Sequence, residues 1–281
     1  RRRIFSYMKT WLITGCSTGL GKSLAKTVLK KGYQAVVTAR NTDTLAEFER
    51  EFPKNALVLP LDVTDNKAIS NTVKRAIEHF SSIDVLVNNA GYGYRAAVEE
   101  GEFEDTQRLF HTNFWGPIAL MKAVLPQMRR NHSGAIINVS SIAAIRTAPG
   151  SGYYAASKCA LEGLSDGLRA ETAPLGIKVM VVEPGAFRTD FAGRSLTQSR
   201  TVIEDYEETS GARRIGRDTT HGTQPGDPDK AAEIIIQAVE ADNTPFRLLL
   251  GTDAVAFADQ EMKVRAEEYA KWKEFSCRSD Y

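Results

Sequence analysis

The stretch Thr14–Gly21 reads TGCSTGLG and follows an apolar run that begins at Trp11. Beyond the loop, Leu20, Leu24 and Val28 stand four residues apart, so a helix here would present one apolar face. Glycines let a backbone turn tightly and approach a pyrophosphate, and a helix N-terminus offers unpaired N–H groups and the positive end of its dipole. A glycine loop between a strand and a helix therefore predicts a dinucleotide site, formed by Gly15, Ser17, Thr18, Gly19, Leu20 and Gly21.

Short apolar or β-branched runs alternate with amphipathic stretches along most of the chain. The runs are apolar almost throughout rather than at every second residue, which is typical of parallel strands covered on both faces. We expect strands at Trp11–Thr14, Ala35–Ala39, Ala56–Leu61, Asp84–Asn88, Ala135–Ser140, Lys178–Glu183 and Arg247–Leu250. Between them we expect helices at Ala68–Phe80, Phe103–Met128, Tyr153–Thr172 and Asp229–Glu240, with Pro126 bending or ending the second.

This alternation predicts the α/β class, with a doubly wound, Rossmann-like parallel sheet of about seven strands in a single domain. Residues 1–8 are expected to be an N-terminal extension, and residues 9–281 the dinucleotide-binding catalytic domain. The stretch 186–226 is polar and weakly periodic, and loops of this length are often functional lids. We expect a substrate lid there, although a surface excursion without fixed structure has the same composition. A C-terminal helical tail is expected over residues 253–275.

The composition of the chain excludes several classes of protein. The 36 Lys and Arg residues balance 35 Asp and Glu residues, so the excess positive charge of nucleic-acid binders is missing. No apolar run approaches the ~18–20 residues that span a bilayer, and no secretory signal is predicted. Three scattered cysteines form no disulfide framework, and four isolated histidines lack metal-ligand spacing. We therefore expect a cytoplasmic protein with no nucleic-acid partner, membrane span or metal.

The end of the second strand bears on the choice of dinucleotide. An acidic residue expected at this position would bind a ribose 2′-hydroxyl and repel a 2′-phosphate, but the strand ends in Arg40. A guanidinium group matches the geometry of a phosphate, so Arg40 favours NADP(H). NAD(H) stays possible, because Arg40 can equally be an ordinary exposed arginine.

Polar residues follow the third and fourth strands as well. Asp62 comes after the third strand, and Asn89, Ala90 and Gly91 come after the fourth. Ligands of such sheets bind beyond the carboxyl ends of the strands, so these residues are candidates for the site. Asp62 can equally be the cap of the next helix.

Tyr154 and Lys158 stand four residues apart at the start of a predicted helix and share one face. A tyrosine hydroxyl has a reference pKa of about 10, and a neighbouring ammonium group would lower it. Such a pair beside a nicotinamide would make a proton relay for alcohol or carbonyl chemistry. Tyr153 is five residues from Lys158 and faces elsewhere. Tyrosine and lysine also occur at this spacing by chance.

In combination, these motifs resemble the short-chain dehydrogenase/reductase family. The shared features, in chain order, are the G-x-x-x-G-x-G loop, Asn-Asn-Ala-Gly, a serine thirteen residues before the tyrosine, Tyr-x-x-x-Lys and Pro-Gly. The resemblance covers about residues 9–240 and is greatest to oxidoreductases similar to hydroxysteroid and retinol dehydrogenases.

The resemblance implies roles for individual residues. In the family, the matching serine binds the substrate oxygen, the tyrosine exchanges the proton, the lysine holds the ribose and tunes the tyrosine, and an asparagine holds a proton-carrying water. The catalytic residues implied are Asn113, Ser141, Tyr154 and Lys158, of which the last two also bind the cofactor. The further cofactor residues implied are Asp62 and Val63 at the adenine, Asn89, Ala90 and Gly91 along the cofactor, and Pro184, Gly185 and Thr189 at the nicotinamide carboxamide.

The resemblance also implies a function. We expect an NADP(H)-dependent oxidoreductase that interconverts an alcohol and a ketone or aldehyde of small, apolar character, and that forms a homodimer or homotetramer through its two long helices. Tyr92, Tyr94 and Phe187 would suit an apolar substrate, although core packing explains them equally well. The alternative is a non-catalytic NADP(H)-sensing regulator of the same fold, which we would expect to lack the tyrosine or the lysine.

Overall fold

Seven parallel strands form one sheet at the centre of the protein. The computed structural model describes residues 8–188, 195–215 and 224–281. The strands of this sheet are β1 (Thr10–Ile13), β2 (Gln34–Ala39), β3 (Ala56–Pro60), β4 (Val85–Asn88), β6 (Gly134–Val139), β7 (Ile177–Pro184) and β9 (Arg247–Leu250). Across the sheet they lie in the order β3-β2-β1-β4-β6-β7-β9. A separate parallel pair is formed by β5 (Gly93–Arg95) and β8 (Leu196–Gln198). The predicted doubly wound α/β sheet in a single domain is confirmed.

Helices cover both faces of the sheet. They are α1 (Gly19–Lys30), α2 (Ala46–Glu51), α3 (Asn66–Phe80), α4 (Phe103–Phe110), α5 (Gly116–Asn131), α6 (Gly152–Thr172), α7 (Pro228–Glu240) and α8 (Thr252–Ser276). On one face, apolar side chains of α1 and α7 pack on the strands, and on the other α3 and α5 do so. Because both faces are covered, the strands are apolar almost throughout, as their sequence predicted.

The long helix expected over Phe103–Met128 differs from the prediction in two ways. It contains a π-helical turn at His111–Trp115 between α4 and α5, and α5 continues past Pro126 to Asn131. Pro126 therefore does not end the helix. The hydrogen bond that a proline removes would have gone to the carbonyl of Lys122, and both residues are exposed, so water can solvate that carbonyl. A π-turn inside an α-helix is frequent at functional sites.

The order of the strands places a crevice at the carboxyl ends of β1 and β4. The chain proceeds outward from β1 through β2 to β3, and then returns to the other side of β1 at β4. Ligands of open α/β sheets bind at such a reversal of strand order. Within the described residues, no helix is long and apolar enough to cross a membrane.

Candidate active site

The glycine loop after β1 has the backbone that its sequence predicts. Gly15 and Gly19 adopt positive φ angles of 70° and 59°, which side-chain-bearing residues rarely adopt. A methyl group on Gly15 would come within 2.9 Å of the Cα of Ala90. A methyl group on Gly21 would overlap the side-chain amide of Asn89 and the carbonyl of Gly15. Gly21 is therefore needed for packing behind the loop, while the other glycines shape the loop itself.

Hydrogen bonds between the ends of β1 and β4 hold this loop in place. The Asn89 amide donates hydrogen bonds to the carbonyl oxygens of Thr14, at 2.9 Å, and Gly15, at 3.1 Å. The hydroxyl of Thr14 accepts from the backbone N–H groups of Asn89 and Ala90 at 3.0 and 2.9 Å. Sequence reasoning placed Asn89 on the cofactor and did not identify Thr14, because the contacts join residues 75 positions apart.

Arg40 and Asp62 lie at the outer end of the same crevice, beyond β2 and β3. Asp62 accepts hydrogen bonds from the backbone and hydroxyl of Thr64 at 2.9 and 2.7 Å. These hydrogen bonds, and then the charge of Arg40, lower the pKa of Asp62. Asp62 does not cap the next helix, because Asp65 accepts the capping hydrogen bonds of α3. The carboxylate of Asp62 lines the crevice together with Arg40, and its contact with an adenine stays a prediction.

Tyr154 lies in the first turn of α6, opposite Ser141 at the end of β6. Burial raises the pKa of Tyr154 to about 12, opposed by a hydrogen bond with Ser141 and by the charge of Arg95. The Ser141 hydroxyl also accepts the backbone N–H of Ala143 at 3.1 Å, which fixes its position. The pKa of Tyr154 thus lies above its ordinary value, whereas its spacing from Lys158 predicted a lowered pKa.

Lys158 is almost fully buried one turn along α6. Its ammonium donates to the carbonyl of Val139 at 2.8 Å and lies 5.9 Å from the centre of the Tyr154 ring. Burial lowers the pKa of Lys158 to about 8, opposed by the charge of Glu162. The lysine and the tyrosine are therefore adjacent, and burial disfavours the charged form of each.

Asn113 is fully buried in the π-turn between α4 and α5. Its amide oxygen accepts the backbone N–H of Tyr92 at 3.1 Å, and its nitrogen donates to the Tyr92 carbonyl at 2.9 Å and to Ser157 at 3.2 Å. A methyl group on Gly91 would come within 3.1 Å of the Asn113 oxygen and 3.5 Å of the Lys158 nitrogen. Gly91 therefore keeps open the space between Asn113 and Lys158.

The turn after β7 is held by a residue that sequence reasoning missed. Asp253, in the first turn of α8, accepts the backbone N–H of Ala186 at 2.7 Å. A methyl group on Gly185 would overlap the Asp253 carboxylate, so the turn at Pro184 requires glycine. No local pattern marks Asp253, which lies 67 residues from its partner. Thr189, the other residue expected here, lies outside the described residues.

These groups surround one cavity of about 1180 Å³. Of the residues expected in the site, its wall includes Gly15, Ser17, Thr18, Gly19, Leu20, Arg40, Asp62, Val63, Asn89, Ala90, Gly91, Ser141, Tyr154, Lys158, Pro184 and Gly185. Gly21 and Asn113 lie behind the wall. Tyr92 and Phe187 also line the cavity, whereas Tyr94 is a core residue.

Residues 195–215, which belong to the expected lid, are hydrogen-bonded to two glutamates outside it, Glu100 and Glu102. Glu102 accepts the backbone N–H groups of Arg200 and Thr201 at 3.0 Å, and Glu100 forms an ion pair with Arg214 at 2.7 Å. Both attachments are specific, so residues 195–215 have a fixed place against the body. They bring Ser195, Thr197, Gln198 and Arg200 to the cavity wall.

A glycine loop at a helix N-terminus and a Ser-Tyr-Lys group thus line one cavity at the carboxyl ends of a doubly wound α/β sheet. A family model described as short chain dehydrogenase matches residues 9–200. Oxidoreductase BOA17 of Botryotinia fuckeliana is 39% identical over 272 residues, which cover 96% of this chain and 99% of that protein. The chain belongs to the short-chain dehydrogenase family and is an oxidoreductase.

Solved structures give the same result. A short-chain dehydrogenase from Streptomyces avermitilis has a TM-score of 0.90 and 38% identity, covering 97% of this chain and 99% of that one. An alcohol dehydrogenase from Thermococcus sibiricus, complexed with 5-hydroxy-NADP, has a TM-score of 0.70 and 26% identity, covering 86% and 96%. Nothing in these matches supports the non-catalytic regulator. The hydroxysteroid- and retinol-dehydrogenase-like branch stays a prediction.

Proposed function

We propose that the protein is an NADP(H)-dependent enzyme that interconverts an alcohol and a ketone or aldehyde. The observation that carries this proposal is the placement of Ser141, Tyr154 and Lys158 on the wall of the same cavity as the glycine loop. The hydrogen bond between Ser141 and Tyr154 brings two hydroxyl groups together where a carbonyl oxygen can contact both.

The residues present fit a nicotinamide dinucleotide. A methyl group on Gly15 would crowd Ala90, and the N-terminus of α1 lies beside the loop, where a pyrophosphate would be bound. Arg40, Asp62 and Val63 would hold the adenosine end, and Pro184 and Gly185 the nicotinamide end. The bound cofactor supplies or accepts the hydride of the reaction.

Tyr154, Ser141 and Lys158 carry out the proton transfer of the proposed reaction. The raised pKa of Tyr154 keeps its hydroxyl protonated near neutral pH, ready to donate to the carbonyl oxygen in the reducing direction. Ser141 orients that oxygen by a second hydrogen bond. Lys158, when protonated, stabilises the tyrosinate that remains, and its position beside Gly91 and Asn113 gives the proton a route away from Tyr154. In the oxidising direction the same groups act in reverse.

Arg40 supports the preference for NADP(H) over NAD(H). It is exposed at the end of β2, lines the cavity, and lies close enough to Asp62 to lower the pKa of that carboxyl. A 2′-phosphate would give the guanidinium a partner of greater charge than one carboxylate. The alcohol dehydrogenase of Thermococcus sibiricus, which carries 5-hydroxy-NADP, is consistent with this preference.

The substrate we propose is a small carbonyl compound or alcohol of apolar character, since Tyr92 and Phe187 line the same cavity as Tyr154. The cytoplasmic location and the homodimer or homotetramer remain predictions. On the outer surface of α6, Gly163 has no atom within 4 Å that an added methyl group would meet, and Leu164 is exposed. Ala155 of the same helix is buried within the chain and cannot contribute to such an interface.

The experiment is a panel of apolar ketones and aldehydes, each incubated with NADPH or NADH, with cofactor oxidation followed at 340 nm. We expect turnover with several carbonyl compounds and a higher kcat/KM for NADPH. If every compound is inert with both cofactors, in both directions of reaction, the proposed function is wrong.

A further inference from the structure

The carboxyl end of β6 is held against one face of α6 by residues that stand one helical turn apart. The Lys158 ammonium donates to the carbonyl of Val139 at 2.8 Å. Two residues further along the strand, Ser141 is hydrogen-bonded to Tyr154. The position of Ser141 relative to Tyr154 therefore depends on how the strand end is fixed to the helix.

Ser140, between these two contacts, is fixed by Glu162. Its hydroxyl donates to Oε1 of Glu162 at 2.5 Å, and both residues are buried. Glu162 lies one turn beyond Lys158 on the same face of α6, and its charge is the electrostatic partner that raises the pKa of Lys158 against burial. Neither the proton transfer described above nor the cofactor cradle uses Glu162.

The groups that face Glu162 come from three elements besides β6. Arg247 of β9 donates to Oε2 at 3.2 Å. Glu183 of β7 is in hydrogen-bonding contact, and burial followed by the charge of Glu162 raises the pKa of Glu183 to about 7. On α6 itself, Lys158 and Cys159 are the neighbouring titratable groups. Arg247 is the cation of this cluster, and the charge of Glu162 acts on both Lys158 and Glu183.

We propose that Glu162 is a positioning residue of the active site: through Ser140 it fixes the strand end that carries Ser141, and its negative charge stabilises the ammonium of Lys158. This proposal rests on the proposed function, because it acts through Ser141 and Lys158. It adds a task to a carboxylate that touches neither substrate nor cofactor. The two parts of the proposal can be separated, since one depends on a hydrogen bond and the other on a charge.

The experiment compares Glu162→Gln, Ser140→Ala and the control Glu183→Gln with the unmodified enzyme. The readouts are kcat/KM for one reactive carbonyl compound from pH 6 to 10 and the Kd for NADPH from fluorescence. Glu162→Gln keeps the shape of the side chain and loses the charge. We expect the alkaline loss of activity, which follows deprotonation of Lys158, to move down by about one pH unit. Its Kd for NADPH should increase more between pH 6 and pH 8 than that of the unmodified enzyme.

Ser140→Ala keeps the charge of Glu162 but removes the hydrogen bond that fixes the strand end. We therefore expect kcat to fall by about tenfold, with no shift of the alkaline limb of the pH profile. Glu183→Gln removes a carboxyl group from the same cluster without touching Ser140 or Lys158, so its alkaline limb should move less than that of Glu162→Gln and its kcat should stay near that of the unmodified enzyme. If folded Glu162→Gln keeps the alkaline limb of the pH profile and the Kd for NADPH of the unmodified enzyme, the charge of Glu162 does not stabilise the Lys158 ammonium. If Ser140→Ala keeps the kcat of the unmodified enzyme, the hydrogen bond between Ser140 and Glu162 does not position Ser141. A shift of the alkaline limb in Glu183→Gln as large as that in Glu162→Gln would overturn the assignment of the charge to Glu162. If Glu162→Gln does not fold, Ser140→Ala still tests the hydrogen bond between Ser140 and Glu162. Tyr154→Phe is assayed in parallel, because activity retained there contradicts the proposed function and not this proposal alone.

Discussion

The buried carboxyl group of Glu183 should make the stability of the fold depend on pH. Its side chain is 2% exposed, and its nearest cation, Arg247, is 3.7 Å away and half exposed. Burial and the charge of Glu162 raise its pKa from 4.5 to about 7. Since the folded pKa is the higher one, the contribution of Glu183 to stability is fully present below the unfolded pKa and is lost as the pH rises through 7. The linkage relation gives a fall of about 2 kcal/mol in the free energy of unfolding between pH 5 and pH 8.

Glu183→Gln cannot titrate, so it should lack this part of the pH dependence. The measurement is urea unfolding at pH 5, 6, 7 and 8 at constant ionic strength, with the exposed Glu171→Gln as the matched control. We expect the unmodified protein and Glu171→Gln to lose stability together as the pH rises, while Glu183→Gln loses about 2 kcal/mol less. The reasoning is refuted if all three proteins lose stability in parallel.

Two other predictions concern the cofactor and the assembly. Arg40→Asp should reduce the preference for NADPH over NADH by about 10- to 100-fold, because an attractive charge is replaced by a repulsive one. The control is Arg50→Asp, the same change at an exposed position outside the cavity, which should leave the preference unchanged. Equal Kd values for Arg40→Asp and the unmodified protein, with either cofactor, would contradict the role of Arg40. Light scattering at micromolar concentration should give at least a dimer, and Leu164→Asp on the outer face of α6 should shift it toward a monomer. A monomeric unmodified protein would rule out the assembly.

The parts of the fold that follow from local pattern were predictable from the sequence. All seven predicted strands are present in the sheet within a residue or two of their expected bounds, because each is an apolar run bounded by polar residues. The continuation of α5 past Pro126 was not predictable, since it depends on which carbonyls face solvent, and no local sequence pattern marks the π-turn. The pair β5 and β8 was missed because each strand has only three residues.

The candidate site also has parts that the sequence predicts and parts that it does not. The glycine loop and the Tyr-Lys pair are short motifs, and their order and spacing in combination indicate their chemistry. Thr14 and Asp253 contact partners that lie 75 and 67 residues away in the chain, so no local spacing identifies them. The pKa of Tyr154 also required the structure, because the spacing shows the neighbouring lysine but not the burial that raises this pKa.

The central claim is that Tyr154 transfers the proton, and the turnover of Tyr154→Phe tests it most directly. Tyr153→Phe is the control, because the Tyr153 hydroxyl donates to the carbonyl of Val98 at 2.6 Å, away from Lys158. With one reactive carbonyl compound and saturating NADPH, kcat of Tyr154→Phe should fall by about 10²- to 10⁴-fold with little change in NADPH binding, while Tyr153→Phe stays near the unmodified enzyme. Retention of more than about a tenth of kcat in Tyr154→Phe would contradict the account.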